Sequence, residues 1–279
     1  MPGTSMNEIK ARIKSVGNTM QITRAMELVA TSKLRRAREN AEAAEEFCRV
    51  YERAIFPIIS ACNSFAEASS ENRDALYIVI AGDRGLAGGY NSNILRLAES
   101  LSSGDEAIFL GIGKKAVEYF SRVEKRLFSE GKYANDVDMQ YCTELAGNIC
   151  EGFRCGKLCR VELIYTNFVS MLSQAPLHRL LLPIDVGRFG GDPPIFDVVT
   201  DRDLNELAEA VIPEYIACEL YRAVCQSLAS ESAARRTAMN SANKNAEEMI
   251  DSLTLNYNRA RQALITQEIT EIVSGAGAL

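Results

Sequence analysis

The 279-residue chain has no tryptophan, one histidine (His178), and no proline between Pro2 and Pro57 or after Pro213. Each absence closes off a class of function. With one histidine, no histidine-based metal cluster can be built from this chain alone. No uncharged apolar run approaches the roughly 18 residues that a bilayer-spanning helix needs, so membrane association is expected only through partners. No aromatic residue precedes Phe47, which removes the stacking side chains that single-stranded nucleic-acid sites use. Charged side chains are missing from the last stretch as well, since none occurs in IVSGAGAL, after Glu271.

Cysteine is plentiful by contrast, eight in all, but the chain is neither short nor headed by a signal-peptide pattern, so reduced thiols are expected rather than a disulfide framework. Cys150, Cys155 and Cys159 fall close together in CEGFRCGKLC with four and then three intervening residues. Neither interval is the two-residue spacing of zinc or thioredoxin sites. Partly buried free thiols are expected there, and a redox role stays open.

The charge is unevenly placed. The formal net charge is -6, yet Lys10 to Arg38 holds eight basic residues against Glu27 alone, which makes that segment +7 and the remainder -13. A solvated helix face, an acidic lipid or nucleic-acid contact, and an acidic protein partner all fit a basic run. Interleaving of the bases with an apolar seam favours a helix that pairs along one side and shows positive charge to a protein on the other.

That seam is formed by Ile9, Ile13, Val16, Met20 and Thr23 at steps of four and three, after which Ile22, Met26 and Val29 repeat the step one register over. A second arm repeats the pattern through Ala246, Ile250, Leu253, Tyr257, Ala260 and Leu264. Such narrow stripes suit a helical partner. Pro213 fits the first turn of the second arm, and no glycine or proline interrupts it until Gly275. A helix from Pro213 to Val273 would reach ~90 Å.

Between the arms the period changes. DALYIVIAG, EAIFLGIG and CRVELIYTNF read as strands, and NSNILRLAESL, KKAVEYFSRV and CTELAGNICEGF as helices. Their alternation predicts an α/β fold with a small, mostly parallel sheet. The expected organisation is an N-terminal coiled-coil helix over 1–60, a Rossmann-like α/β domain over 74–200 inserted into a long antiparallel coiled coil, and a C-terminal helix over 208–279. His178, in QAPLHRLLLP, is assigned to a connector with a structural role. GDRGLAGGYN, from Gly82 to Asn91, sits where phosphate loops sit but lacks the Lys-Ser/Thr pair and the dinucleotide spacing. It reads as a tight turn or a surface contact loop. No nucleophile, base and orienter set is found, so no catalytic residue, metal or cofactor is assigned.

Three blocks in order, IKARIKSVGNTMQITRAMELVATSKLRRA, DRGLAGGYNSNI and SESAARRTAMNSANKNAEEMIDSLTLNYNRARQALITQEITEIVSGAGAL, resemble the F-type ATP synthase gamma subunit. The resemblance covers both arms nearly completely and the middle more loosely. It implies a non-catalytic central-stalk rotor coupling ion (proton) flow through a membrane c-ring to ATP synthesis or hydrolysis in an alpha/beta hexamer. Implied partners are the alpha, beta and epsilon subunits and the ring, with no nucleic acid. Met26, Arg235, Arg261 and Gln262 match positions facing beta subunits, with Thr266 and Glu268 nearby. Asp83, Arg84, Gly85, Gly88 and Gly89 are expected to meet the ring or epsilon. No transit-peptide pattern precedes MNEIK, so the expectation is a bacterial chain at the cytoplasmic face of the cell membrane. The remaining alternative is a coiled-coil adaptor or nucleic-acid-binding module using the basic N-terminal helix.

Overall fold

The computed structural model describes residues 6–60, 65, 74–102, 107–185, 187 and 203–276. The last three residues of the uncharged end, and the expected α/β segment beyond 187, lie outside them. In chain order the elements are α1 (Met6–Ser60), β1 (Asp74–Ile80), α2 (Tyr90–Leu101), β2 (Ala107–Ile112), α3 (Lys114–Arg122), a 3-10 turn (Ala134–Asp136), α4 (Met139–Arg154), β3 (Leu158–Phe168), β4 (Gln174–Leu182) and α5 (Leu204–Ala276). Two compact units result. One comprises Ala30–Arg235, and the other Met1–Val29 with Arg236–Leu279.

In the larger unit the sheet order is β2-β1-β3-β4, with β1 parallel to β2 and β3, and β4 antiparallel to β3. A strand covered on both faces reads as a nearly continuous apolar run, as ALYIVI does after Asp74. Its alternate residues divide between two cores. Leu76, Ile78 and Ile80 pack among residues of α4 and α5, including Ile149, Phe153, Ile212 and Leu220. Tyr77 and Val79 face Ile94 and Ala98 of α2 and Ala116 and Phe120 of α3. The turn from β2 into α3 requires Gly113, whose φ is +93°, and a Cβ there would lie 2.0 Å from the Ala81 carbonyl oxygen.

Three expectations are corrected here. The segment holding His178 is not a connector but the edge strand β4, in which His178 pairs with Ile164. Edge position explains why the strand tolerates Pro176 and exposed His178 without the continuous apolar run of its neighbours. Pro213 does not open α5, which starts at Leu204 and carries the proline inside it. Nor does the α1 seam change register. Ile22 and Val29 are exposed, and the half-buried and buried positions continue through Thr23, Glu27, Ala30 and Leu34.

The smaller unit pairs the start of α1 with α5. Arg24 meets Glu247 at 3.2 Å, while Glu27 accepts from Asn240 Nδ2 at 3.1 Å and Asn243 Nδ2 at 2.7 Å. Partners descend in number as α1 ascends, so the two segments are antiparallel. Within this unit Ile9, Ile13, Val16 and Met20 line the inner side of α1, and Ala246, Ile250, Leu253, Tyr257 and Ala260 that of α5, all buried or half-buried. The Thr23 hydroxyl reaches Asn243 Oδ1, which completes a polar layer across the seam.

Candidate functional site

Two surfaces stand out, one in each unit. In the larger unit, the stretch Gly82–Asn91 joins β1 to α2 and is fixed by side chains from three directions. Asp83 Oδ1 accepts from the Lys114 amide at 3.0 Å and the Ala134 amide at 2.9 Å, and Oδ2 accepts from the backbone and side chain of Asn135. Burial alone would push the Asp83 carboxyl up, but these donors outweigh it and hold the group below the usual carboxylate range. Asn91 Oδ1 accepts from the Gly82 amide at 2.9 Å, and its Nδ2 donates to the Arg84 carbonyl at 3.2 Å.

The third anchor comes from α5. Arg235 Nε donates to the Gly85 carbonyl at 3.3 Å, its Nη2 donates to the Arg84 carbonyl at 3.3 Å, and the same Nη2 is ion-paired with Glu231. Between these anchors Ala87 is buried, whereas Leu86 sits at φ +61° with 65% of its surface exposed. A non-glycine residue held in the left-handed region and pointed at solvent is a constrained position on the surface. The Lys114 amide, at the N-terminus of α3 where a phosphate would dock, is already taken by Asp83.

The second surface belongs to the smaller unit. Carrying the Thr23–Asn243 register outward by seventeen residues sets Met6 level with Ala260. Beyond that level every described side chain of α5, from Arg261 to Ser274, is exposed. Leu264, expected in the seam, is 44% exposed instead, because it lies past the last level at which described residues of α1 stand beside α5. Ile265, Ile269, Ile272 and Val273 are exposed with it. The Thr266 hydroxyl donates back to the Gln262 carbonyl at 2.9 Å, so it is engaged with its own helix.

The expected contact residues thus divide. Met26, half-buried, belongs to the smaller unit with exposed Arg261, Gln262, Thr266 and Glu268. Arg235 belongs to the larger unit, beside Asp83, Arg84, Gly85, Gly88 and Gly89, and its carboxylate partner is Glu231 of the same chain. Glu231 and the polar layer of Thr23, Glu27, Asn240 and Asn243 were not among the expected site residues. Among the cysteines, burial pushes the Cys142 and Cys150 thiols up to about 12. Cys155 is exposed and Cys159 half-buried, and none of the seven described cysteines is in a disulfide. No group of three metal-ligating side chains occurs among the described residues, and none of the described helices is long and apolar enough to cross a membrane.

The chain combines two long terminal helices with an α/β unit built on a four-stranded sheet. A family model described as ATP synthase matches residues 5–279. The ATP synthase gamma chain of Ruminococcus albus is 45% identical over 285 residues, covering 98% of each chain. A gamma chain of Acetobacterium woodii, named sodium ion specific, is 38% identical with 99% of each covered. Among solved structures, a chain in the rotor of the Euglena gracilis mitochondrial ATP synthase aligns with a TM-score of 0.68 at 17% identity, covering 93% of this chain and 98% of that one. One in the central stalk and c-ring of the Tetrahymena thermophila enzyme aligns at 0.60 and 23%, covering 79% and 99%. The chain belongs to the ATP synthase gamma-chain family.

Proposed function

We propose that this chain is the central-stalk rotor of an F-type ATP synthase, non-catalytic in itself, with the catalytic sites in beta subunits. Its end turns inside the alpha/beta hexamer, while the α/β unit lies toward epsilon and the membrane c-ring. The observation that carries this reading is the bare end of α5, where Leu264, Ile265, Ile269, Ile272 and Val273 are exposed together. Apolar side chains arrayed this way need an enclosing apolar partner, and a sleeve around one helix supplies it. Arg261 and Gln262 stand just past the level of Met6, placed to bond a surrounding loop with directional contacts, charge-assisted in the case of Arg261. Thr266 and Glu268 are nearby beta-facing candidates, and Met26, level with Asn240, is a further one lower on the paired helices. Small, uncharged residues at the tip would make few directional bonds to resist rotation.

Asp83 to Gly89 would form the contact loop of the α/β unit. Membrane association runs through the ring, at the cytoplasmic face of a bacterial membrane. Proton coupling is the working assignment, and the ion is chosen by the ring rather than by the shaft.

The purified chain alone should hydrolyse no ATP and should restore ATP-driven ion uptake when combined with alpha, beta and epsilon subunits on ring-containing vesicles. Replacing Arg261 and Gln262 together with alanine should lower coupled ATP synthesis while leaving the α/β unit folded. Unchanged synthesis would remove those residues from the grip, and a stable monomer with its own ATPase activity would sink the whole reading.

A further inference from the structure

Resting on the rotor reading, we propose that Glu231 is a positioning residue, holding the Arg235 guanidinium so that the Arg84–Gly89 loop and helix α5 turn as one body. Glu231 is 5% exposed and Arg235, one turn further along α5, is ion-paired with it. The carboxylate also lies against the first residue of the loop, since a Cβ on Gly82 would come within 2.8 Å of Glu231 Cδ. From that position it leaves the Arg235 fork one orientation, in which Nε and Nη2 reach the Gly85 and Arg84 carbonyls.

A buried ion pair is weak evidence of added stability, because desolvation offsets the attraction. Its planar geometry, however, fixes direction in a way a lysine cannot. The other loop anchors, Asp83 and Asn91, lead to α3, the 3-10 turn and α2. Of the three anchors, Arg235 is the one that ties the loop's own carbonyls to the long helix; at the end of the same stretch the Tyr90 hydroxyl donates to the Ser227 carbonyl of α5 at 3.1 Å. Load on the exposed Leu86 therefore has a direct path to α5 through two carbonyls and one guanidinium, and Glu231 sets that guanidinium in place.

The test uses the full chain, alone and assembled with its partner subunits on vesicles. Glu231→Ala should raise amide exchange of Arg84–Gly89 at least tenfold and reduce ion uptake per ATP hydrolysed severalfold, with the hydrolysis rate maintained. Glu231→Gln, which keeps the shape and one acceptor, should fall between parent and alanine. Arg235→Lys should resemble Glu231→Ala, because charge without the fork is insufficient. If Glu231→Ala does not fold, Glu231→Gln and Arg235→Lys answer the same question. Unchanged exchange would overturn the latch, as would lost uptake with the loop still protected. Failure of the unsubstituted chain to support ion uptake would instead overturn the rotor reading, and the exchange measurements would tell the two failures apart.

Discussion

The two units bury their side chains in different ways. Among the described residues of the smaller unit, Ile9, Met239 and Asn243 are the buried ones, and one of the three is polar. The larger unit holds two cores on opposite faces of a sheet, with Tyr77, Phe109, Phe120 and most of β1 wholly inaccessible. One contact line between two helices contributes little apolar burial per residue, whereas a sheet covered on both faces contributes much. The α/β unit therefore has the means to hold its fold alone, and the helical pair depends more on polar registration and on whatever surrounds it.

The largest effect is expected where the thick core admits no adjustment. Gly113→Ala combines a left-handed backbone with a collision at the Ala81 carbonyl, and should cost about 3 kcal/mol or more by denaturant unfolding. A loss below 1 kcal/mol would mean that the turn is softer than the contrast between the units requires. In the thin seam, Asn243→Ala removes a donor from Glu27 and an acceptor from Thr23. It should lower stability by about 1–2 kcal/mol, with faster exchange confined to the smaller unit. Spread of that effect into the sheet would erase the distinction.

A smaller effect concerns pH. Asp83 has its folded pKa lowered, so its contribution is complete above the unfolded value of about 3.9 and disappears as pH falls through the folded one. The amide resonances of Ala134 and Asn135 should hold constant from neutral pH to about 4 and shift only below. A midpoint above 5 would contradict the donor set. Least costly of all is thiol access. At pH 8 an alkylating reagent should modify exposed Cys155 well before Cys142 or Cys150, whose burial suppresses the thiolate. Equal rates, read by mass spectrometry, would show the α4 side of the core to be open.

Much of the architecture was legible because its signals are local. β1, β2 and β3 are apolar runs closed by glycine or polar residues, and both arms carry the four-three step of a helical seam. β4 escaped notice because an edge strand needs no such run, and its proline and polar centre look like a connector. The apparent change of register at Ile22 and Val29 arose because hydrophobic residues stand outside the seam just where its inside is polar. No single-helix pattern reveals that Thr23 and Glu27 are matched by Asn240 and Asn243, more than 200 residues away. The resemblance brought Arg235 into view as a contact residue, but its pairing with Glu231 and its bonds to the loop came only with the fold. Exposure of Leu264 was likewise hidden, since the four-three step runs through it without a break.

That overhang has a thermodynamic corollary. A free peptide as short as Arg261 to Ala276 would be mostly coil in water, because starting a helix is costly while lengthening one is cheap. Here the costly step has been taken further down, where α5 is paired, and the last turns form by extension. Order at the far end is borrowed, so fraying of Ile265 to Val273 should track any loosening at Ile250 and Leu253 before the paired turns themselves come apart.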